Sequence, residues 1–198
     1  MYQDARDTLY PCNVKKNMKI KKLTTMNQIF PVISTYTSSV GEEIIIISNK
    51  DLLFSLKCLK NHINYQYKIL SCISGVDYIN CKYRFGVVYE ILSTLNNSRL
   101  RIKVFSNEAS FINSIMSVYI NSDWWEREVF DMYGIYFINH KDLRRILTDY
   151  GFEGFPQRKD FPLSGLIELK YDLPKKCVVS EALELAQEFR DFSIDRSW

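Results

Sequence analysis

The first dense apolar run along the chain is Ile44 to Ile47, four β-branched residues that predict a short buried strand over 43–48. Leu52, Leu53, Leu56 and Leu59 follow at helical spacing and predict a helix from Asp51. "YQYKILSCI" alternates as a strand does, and the turn "SGVD" around Gly75 is expected to end it. "YRFGVVYEILST" predicts another strand, "LNNS" a turn, and 99–105 a strand alternating basic and apolar residues. Those two strands form a hairpin candidate with one exposed, basic face. Phe111, Ile115, Val118 and Tyr119 share one helical face, which predicts a helix in "EASFINSIMSVYI". "DWWEREVFDMYG" predicts a better marked helix. Asp123 is its expected N-cap, Glu126 three residues later completes a capping box, and Gly134 supplies the stop. Trp125, Val129 and Met132 line one face of it. Strands and helices mixed with hairpin pairing predict an α+β fold. We expect a compact α/β sandwich over 28–138 with a mixed or antiparallel sheet, then a long extended C-terminal tail.

The pattern changes after that helix. Gly134, Gly151, Gly154 and Gly165 are four of the seven glycines, and Pro156, Pro162 and Pro174 are three of the five prolines. Such density opposes long helices and central strands. A structureless segment of this length is uncommon in a compact domain unless it is disordered or bound to something. Disordered tails are poor in aromatics, but this one carries Tyr150, Phe152, Phe155, Phe161 and Tyr171. Its charges also balance: Arg144, Arg145, Arg158 and Lys159 stand against Asp142, Asp149, Glu153 and Asp160. Residues 139–198 therefore read as a partner-binding tail. A short helix is expected near 181–190, with Ala182, Leu185, Ala186 and Phe189 on one face. Residues 1–27, with "KKNMKIKK", read as a solvated basic arm.

Composition narrows the function classes. The chain has 198 residues, 46% hydrophobic and 14% aromatic, which suits one domain with extensions and a real core. A net charge of +3 points to no particular partner. No apolar run approaches the roughly 18 residues of a membrane span, and Asp4 and Asp7 argue against a transit peptide. Cys12, Cys58, Cys72, Cys81 and Cys177 show no C-x-x-C spacing, so they read as reduced thiols rather than a zinc, iron–sulfur or disulfide framework. His62 and His140 form no metal-binding pattern, and His140 reads as the cap of a turn. Glycine-rich phosphate loops and a nucleophile elbow are absent from the sequence. Glu126 and Glu128 lie two apart on the predicted helix and point to different sides. Glu128 and Asp131 could converge, but Arg127 four residues before Asp131 is expected to pair with it. The reading that follows is a charged helix face, in its sharper form a carboxylate network that meets Arg144 and Arg145 and pins the tail to the domain. A runner-up is an RNA-binding module, since "YRFGVVYE" and the basic "RLRIKVF" resemble an aromatic, positive strand. An independent small enzyme is a third reading, without a convergent set of ionisable groups to support it.

"EREVFDMYGIYFINHKDLRRIL", 126–147, resembles the signature of the 30-kDa subunit of respiratory complex I, the family of NADH dehydrogenase subunit 9 and its bacterial counterparts. The matching positions are Glu126, Arg127, Glu128, Asp131, Gly134, His140 and Arg144, and "LTDYGFEG" and "RKDFPLSG" continue the likeness over roughly 73–190. Phe155 stands where the family usually shows His. The resemblance implies a peripheral-arm subunit without a redox centre, docked on the 49-kDa subunit that helps form the quinone site. It implies that FMN, iron–sulfur clusters and ubiquinone are handled by other subunits, in a complex that couples electron transfer from NADH to proton pumping. It implies a place on the matrix side of the mitochondrial inner membrane, and the Ile-, Asn-, Tyr- and Phe-rich composition fits an organellar gene. The expected partner interface comprises Asp149, Tyr150, Phe152, Phe155, Arg158, Lys159, Asp160 and Phe161. There Arg144, Arg145, Arg158 and Lys159 would meet partner carboxylates, and Phe152, Phe155 and Phe161 would fill pockets.

Overall fold

The computed structural model describes residues 29–39, 41–184, 188, 190 and 192. The basic arm at 1–27 lies outside them, as do Leu185, Ala186 and Phe189 of the expected last helix. The chain divides into two compact units, one ending at Arg158 and the other starting at Lys159.

The first unit is built on a 5-stranded sheet ordered β1-β2-β5-β4-β3. Its strands are β1 (Ser34–Thr37), β2 (Glu43–Ile46), β3 (Ile69–Asp77), β4 (Phe85–Ser93) and β5 (Ser98–Ser106). The β2–β5 pair is parallel and the other neighbours are antiparallel, so the sheet is mixed. The expected hairpin is β4–β5, in register from Phe85↔Ser106 to Ser93↔Ser98. Opposed residues lie on one face of a sheet, so Val87, Tyr89 and Ile91 meet Val104, Ile102 and Leu100 in the core. Helix α1 (Leu52–Asn61), entered through a 3₁₀ turn at Asn49–Asp51, adds Leu52, Leu56 and Leu59 to that core. Helix α2 (Ser122–Tyr133) adds Val129.

The opposite sheet face carries the basic residues of β5. Arg101 lies between Glu90 and Glu42, and Lys103 sits over the Tyr36 ring. Two of the three basic residues of that face are thus engaged within the sheet, while Arg99 is exposed, which weakens its support for an RNA-binding reading.

Three local expectations are corrected. Gly75 does not end a strand in a turn; β3 continues through it to Asp77. A Cβ there would stand 2.5 Å from the Tyr133 ring, so the glycine marks where α2 presses on the sheet. Residues 108–120 form no helix: β6 (Ile112–Asn113) pairs in parallel with β7 (Phe137–Ile138), and turns follow. Their backbone is claimed by distant groups instead, since Asn49 donates to the Phe111 carbonyl and Lys60 to the Val118 carbonyl. Ile115, Val118 and Tyr119 are still buried, whereas Phe111 is exposed. Finally, α2 starts two residues earlier than expected, with Asn121 rather than Asp123 at the N-cap position and no side-chain cap bond.

The second unit holds one antiparallel hairpin, β8 (Ile167–Asp172) with β9 (Cys177–Ala182), where the tail was read as extended. Glu181 and Ala182, placed in a helix by the sequence pattern, belong to β9.

Candidate functional site

Helix α2 and the 140–158 segment are joined along one stripe. Asp123, Arg127 and Asp131 stand at i, i+4 and i+8, so they share one side of the helix. In that order they engage His140, the Arg144 carbonyl, and the amides of 146–148. The segment thus runs along α2 in the helix's own direction.

At the start of the stripe, His140 has an enclosed ring. Its Nδ1 accepts from the Asp142 amide at 3.2 Å, which places the neutral ring's proton on Nε2. That atom lies 3.2 Å from Asp123 Oδ1 and 3.8 Å from Glu126 Oε2. Asp123, expected as an N-cap, therefore holds the segment rather than the helix end. In the middle, Arg127 donates to the Arg144 carbonyl at 3.2 Å and stacks on Trp124. It does not make the expected pair with Asp131.

Asp131 is directed at the segment's backbone. Its Oδ2 accepts from the amides of Ile146, Leu147 and Thr148 at 3.2, 2.7 and 3.0 Å, and its Oδ1 accepts from the Thr148 hydroxyl at 2.7 Å. Burial opposes the charge, but these bonds outweigh it and hold the carboxyl below the usual aspartate range. Arg145 adds a cation 3.6 Å away.

The end of α2 is closed by the same segment. Gly134 takes φ 74°, and its amide bonds the Phe130 carbonyl at 2.8 Å. The next exposed carbonyls are met from outside the helix: Gln157 donates to Met132 at 3.2 Å and Arg158 to Tyr133 at 2.6 Å. A cation here also suits the negative end of the helix dipole. The Arg145 and Arg158 guanidiniums both lie over the Phe155 ring, at 5.0 and 4.4 Å from its centre. A Cβ on Gly134 would stand 2.7 Å from both Phe155 and Arg158.

Glu126 serves the core side. It is fully buried, and it accepts from the Ser114 hydroxyl at 2.6 Å and the Ile115 amide at 2.8 Å. Burial pushes its pKa up against those bonds and against His140. Its charge, after burial itself, helps raise the enclosed Tyr89 phenol. Glu128 is half-buried and forms no hydrogen bond or ion pair among the described residues. The lone pairs of Glu126 and Asp131 thus point at the chain's own donors, an arrangement that holds backbone in place.

Of the sequence-predicted residues, Glu126, Arg127, Asp131, Gly134, His140 and Arg145 come together here. Arg144 contributes its carbonyl, while its side chain is exposed and pairs with Asp142 at 3.0 Å. Arg145 and Arg158, expected to meet partner carboxylates, are engaged within the chain, and so is Phe155. Phe152 is half-buried; Asp149 and Tyr150 are exposed. Lys159, Asp160 and Phe161 open the second unit, Phe161 half-buried. The sequence reading missed Asp123, Thr148 and Gln157 as anchors; the i, i+4, i+8 spacing of Asp123, Arg127 and Asp131 was the available signal.

Comparisons with known proteins bear on most of the chain. The model of the family described as "Respiratory-chain NADH dehydrogenase, 30 Kd subunit" matches residues 45–166. The "NADH dehydrogenase [ubiquinone] iron-sulfur protein 3" of Beta trigyna is 55% identical over 152 residues, covering 76% of this chain and 79% of that protein. That of Arabidopsis thaliana is also 55% identical, over 76% and 80%. The "NADH-ubiquinone oxidoreductase subunit 9" of Reclinomonas americana is 49% identical over 160 residues, 81% and 78%. Among solved structures, a chain of the archaeal membrane-bound sulfane sulfur reductase shares the fold, with a TM-score of 0.61 over 71% of this chain and 84% of that one at 17% identity. The plant relatives' name mentions iron and sulfur. Among the described residues no group of three or more His, Cys, Asp or Glu is placed to hold a metal, and Cys58, Cys72, Cys81 and Cys177 are free thiols. The residues described therefore do not fit a cysteine-ligated cluster.

Proposed function

The chain belongs to the family of the 30 Kd subunit of respiratory-chain NADH dehydrogenase, and from that premise we propose that it is a non-redox, positioning subunit of the peripheral arm. Membership makes it part of a hetero-oligomeric, mitochondrial NADH:ubiquinone oxidoreductase. No helix among the described residues is long and apolar enough to cross a membrane. In the proposed role the chain sits on the matrix side of the inner membrane and docks on the 49-kDa quinone-site subunit. FMN, iron–sulfur clusters and ubiquinone belong to other subunits. The chain has no catalytic residue of its own, and supports electron transfer and proton translocation by fixing its neighbour.

The observation that carries this reading is the β8–β9 hairpin. Its register puts Ile167, Leu169, Tyr171, Val178, Ser180 and Ala182 on one face, which is mainly apolar, and Glu168, Lys170, Asp172, Cys177, Val179 and Glu181 on the other, which is mainly polar. The polar face carries a Lys170–Glu181 ion pair at 3.3 Å. On the apolar face Ile167, Leu169, Tyr171 and Val178 are 56–65% exposed. A lone hairpin is marginally stable in water, so an amphipathic ribbon with its apolar face uncovered is suited to a partner surface.

The test ends the chain at Arg158, which removes the hairpin and leaves the α2–segment contacts. Native electrophoresis of mitochondrial membranes is expected to show NADH dehydrogenase activity lost from the full-size complex. Complex at its natural level with the shortened chain overturns the reading.

A further inference from the structure

The 146–152 stretch is pinned by hydrogen bonds although it lies at the surface. Asp131 bonds three consecutive amides of it. Asp149 Oδ1 accepts from the Tyr150 amide at 2.8 Å, and the Asp149 carbonyl accepts from Phe152 at 3.1 Å. Gly151 takes φ +74° although a Cβ there would meet nothing, so the bend itself, and not crowding, calls for glycine. This frame holds out two apolar side chains, Leu147 at 57% exposure and Tyr150 at 102%.

A fixed backbone presenting an uncovered aromatic side chain has the form of an interface anchor. The ordering cost is met before contact, and tyrosine combines large apolar area with a polar tip. We propose that Tyr150, together with the exposed Leu147, inserts into an apolar recess of another protein subunit, one that offers a hydrogen-bond acceptor to the phenol. Charge selects the occupant. The exposed Asp149 and Glu153 flank Tyr150, while the exposed Arg144 side chain is paired with Asp142. That acidic rim disfavours an anionic lipid surface and fits a recess edged with basic residues. The anchor rests on the subunit reading, but it belongs to the first unit, whereas the hairpin that carries that reading belongs to the second.

The test uses the full chain in mitochondria, with Tyr150→Ala and Tyr150→Phe beside the chain ended at Arg158. The readout is the fraction of each chain in the full-size complex as salt is raised. The purified chain's melting temperature should not change in either Tyr150 variant, because the side chain is solvent-exposed. Tyr150→Ala is expected to weaken association about tenfold or more, the scale of an anchor residue, and Tyr150→Phe by only a few-fold. Natural assembly of Tyr150→Ala, with failure of the shortened chain, overturns the anchor and leaves the subunit reading standing. Natural assembly of both overturns the two together. A self-associated purified chain that Tyr150→Ala makes monomeric overturns the choice of partner.

Discussion

Replacing Asp131 with Ala removes the group that bonds Ile146, Leu147 and Thr148. Each orphaned amide costs about 1–3 kcal/mol when it stays buried. These sites are part-buried, so water reaches them on small movements and the low end applies, about 3 kcal/mol for the three. Since each 1.4 kcal/mol is about a tenfold change, the open population of the stretch should rise by roughly 100-fold. Asp131→Asn keeps the shape and one acceptor oxygen but loses the charge. Charge-assisted bonds are about twice as strong as neutral ones, so about half the free energy, and roughly a tenfold rise, is expected. Hydrogen exchange followed by mass spectrometry reads this in peptides spanning 142–152, and trypsin cleavage after Arg144 and Arg145 reads it independently. The β4–β5 hairpin is the internal control, because Asp131 makes no bond to it. Unchanged exchange at 146–148 in Asp131→Ala would refute the anchoring role. An equal loss of protection in β4–β5 would also refute it, by showing a global rather than local effect.

Other perturbations test neighbouring contacts. Gly75→Val puts a side chain where Tyr133 already lies. Overpacking of this kind costs about 1–3 kcal/mol, and a melting temperature equal to that of the natural chain would contradict it. Gly134→Ala forces a left-handed residue, at about 1–2 kcal/mol, and pushes on Phe155 and Arg158. Faster trypsin cleavage after Arg158 is the expected sign, and an unchanged rate counts against the cap. Acid and base act on two carboxyls in opposite directions. Asp131 has its folded pKa lowered, so its stabilisation is present above the usual aspartate pKa and is lost as pH falls through the lowered value. Glu126 has its folded pKa raised, so its contribution is full below the usual glutamate pKa and is lost as pH rises through the raised value. Glu126→Gln should therefore gain on the natural chain as pH climbs from 4 toward 8 in paired thermal melts; a constant difference would contradict the shift.

Much of the first unit was legible because its periodic signals agree with local chemistry. Alternation over 99–105 matched β5, helical spacing after Asp51 matched α1, and Gly134 stood where α2 ends. The segment 108–120 shows why spacing alone fails. Phe111, Ile115, Val118 and Tyr119 fit a helical face, yet the Ile115 amide is taken by Glu126 and two nearby carbonyls by Asn49 and Lys60. A backbone bonded from outside no longer needs its own helical bonds. Gly75 shows a second limit, since a turn glycine and a packing glycine look alike in sequence.

The sequence by itself determined the family, the mixed α/β class and the cluster of charged and aromatic residues around 126–161. Each rests on residue identity or on a period within one element. The tertiary structure decided which residues are spent inside the chain and which are left outward. It assigned Asp131 to a neighbouring backbone, Arg145 and Arg158 to Phe155, and Tyr150 to solvent. The physical reason is that α2 must satisfy its last carbonyls and its buried Asp131 carboxylate. The partners for both come from residues some 15 to 25 positions further along the chain, a distance no local pattern spans.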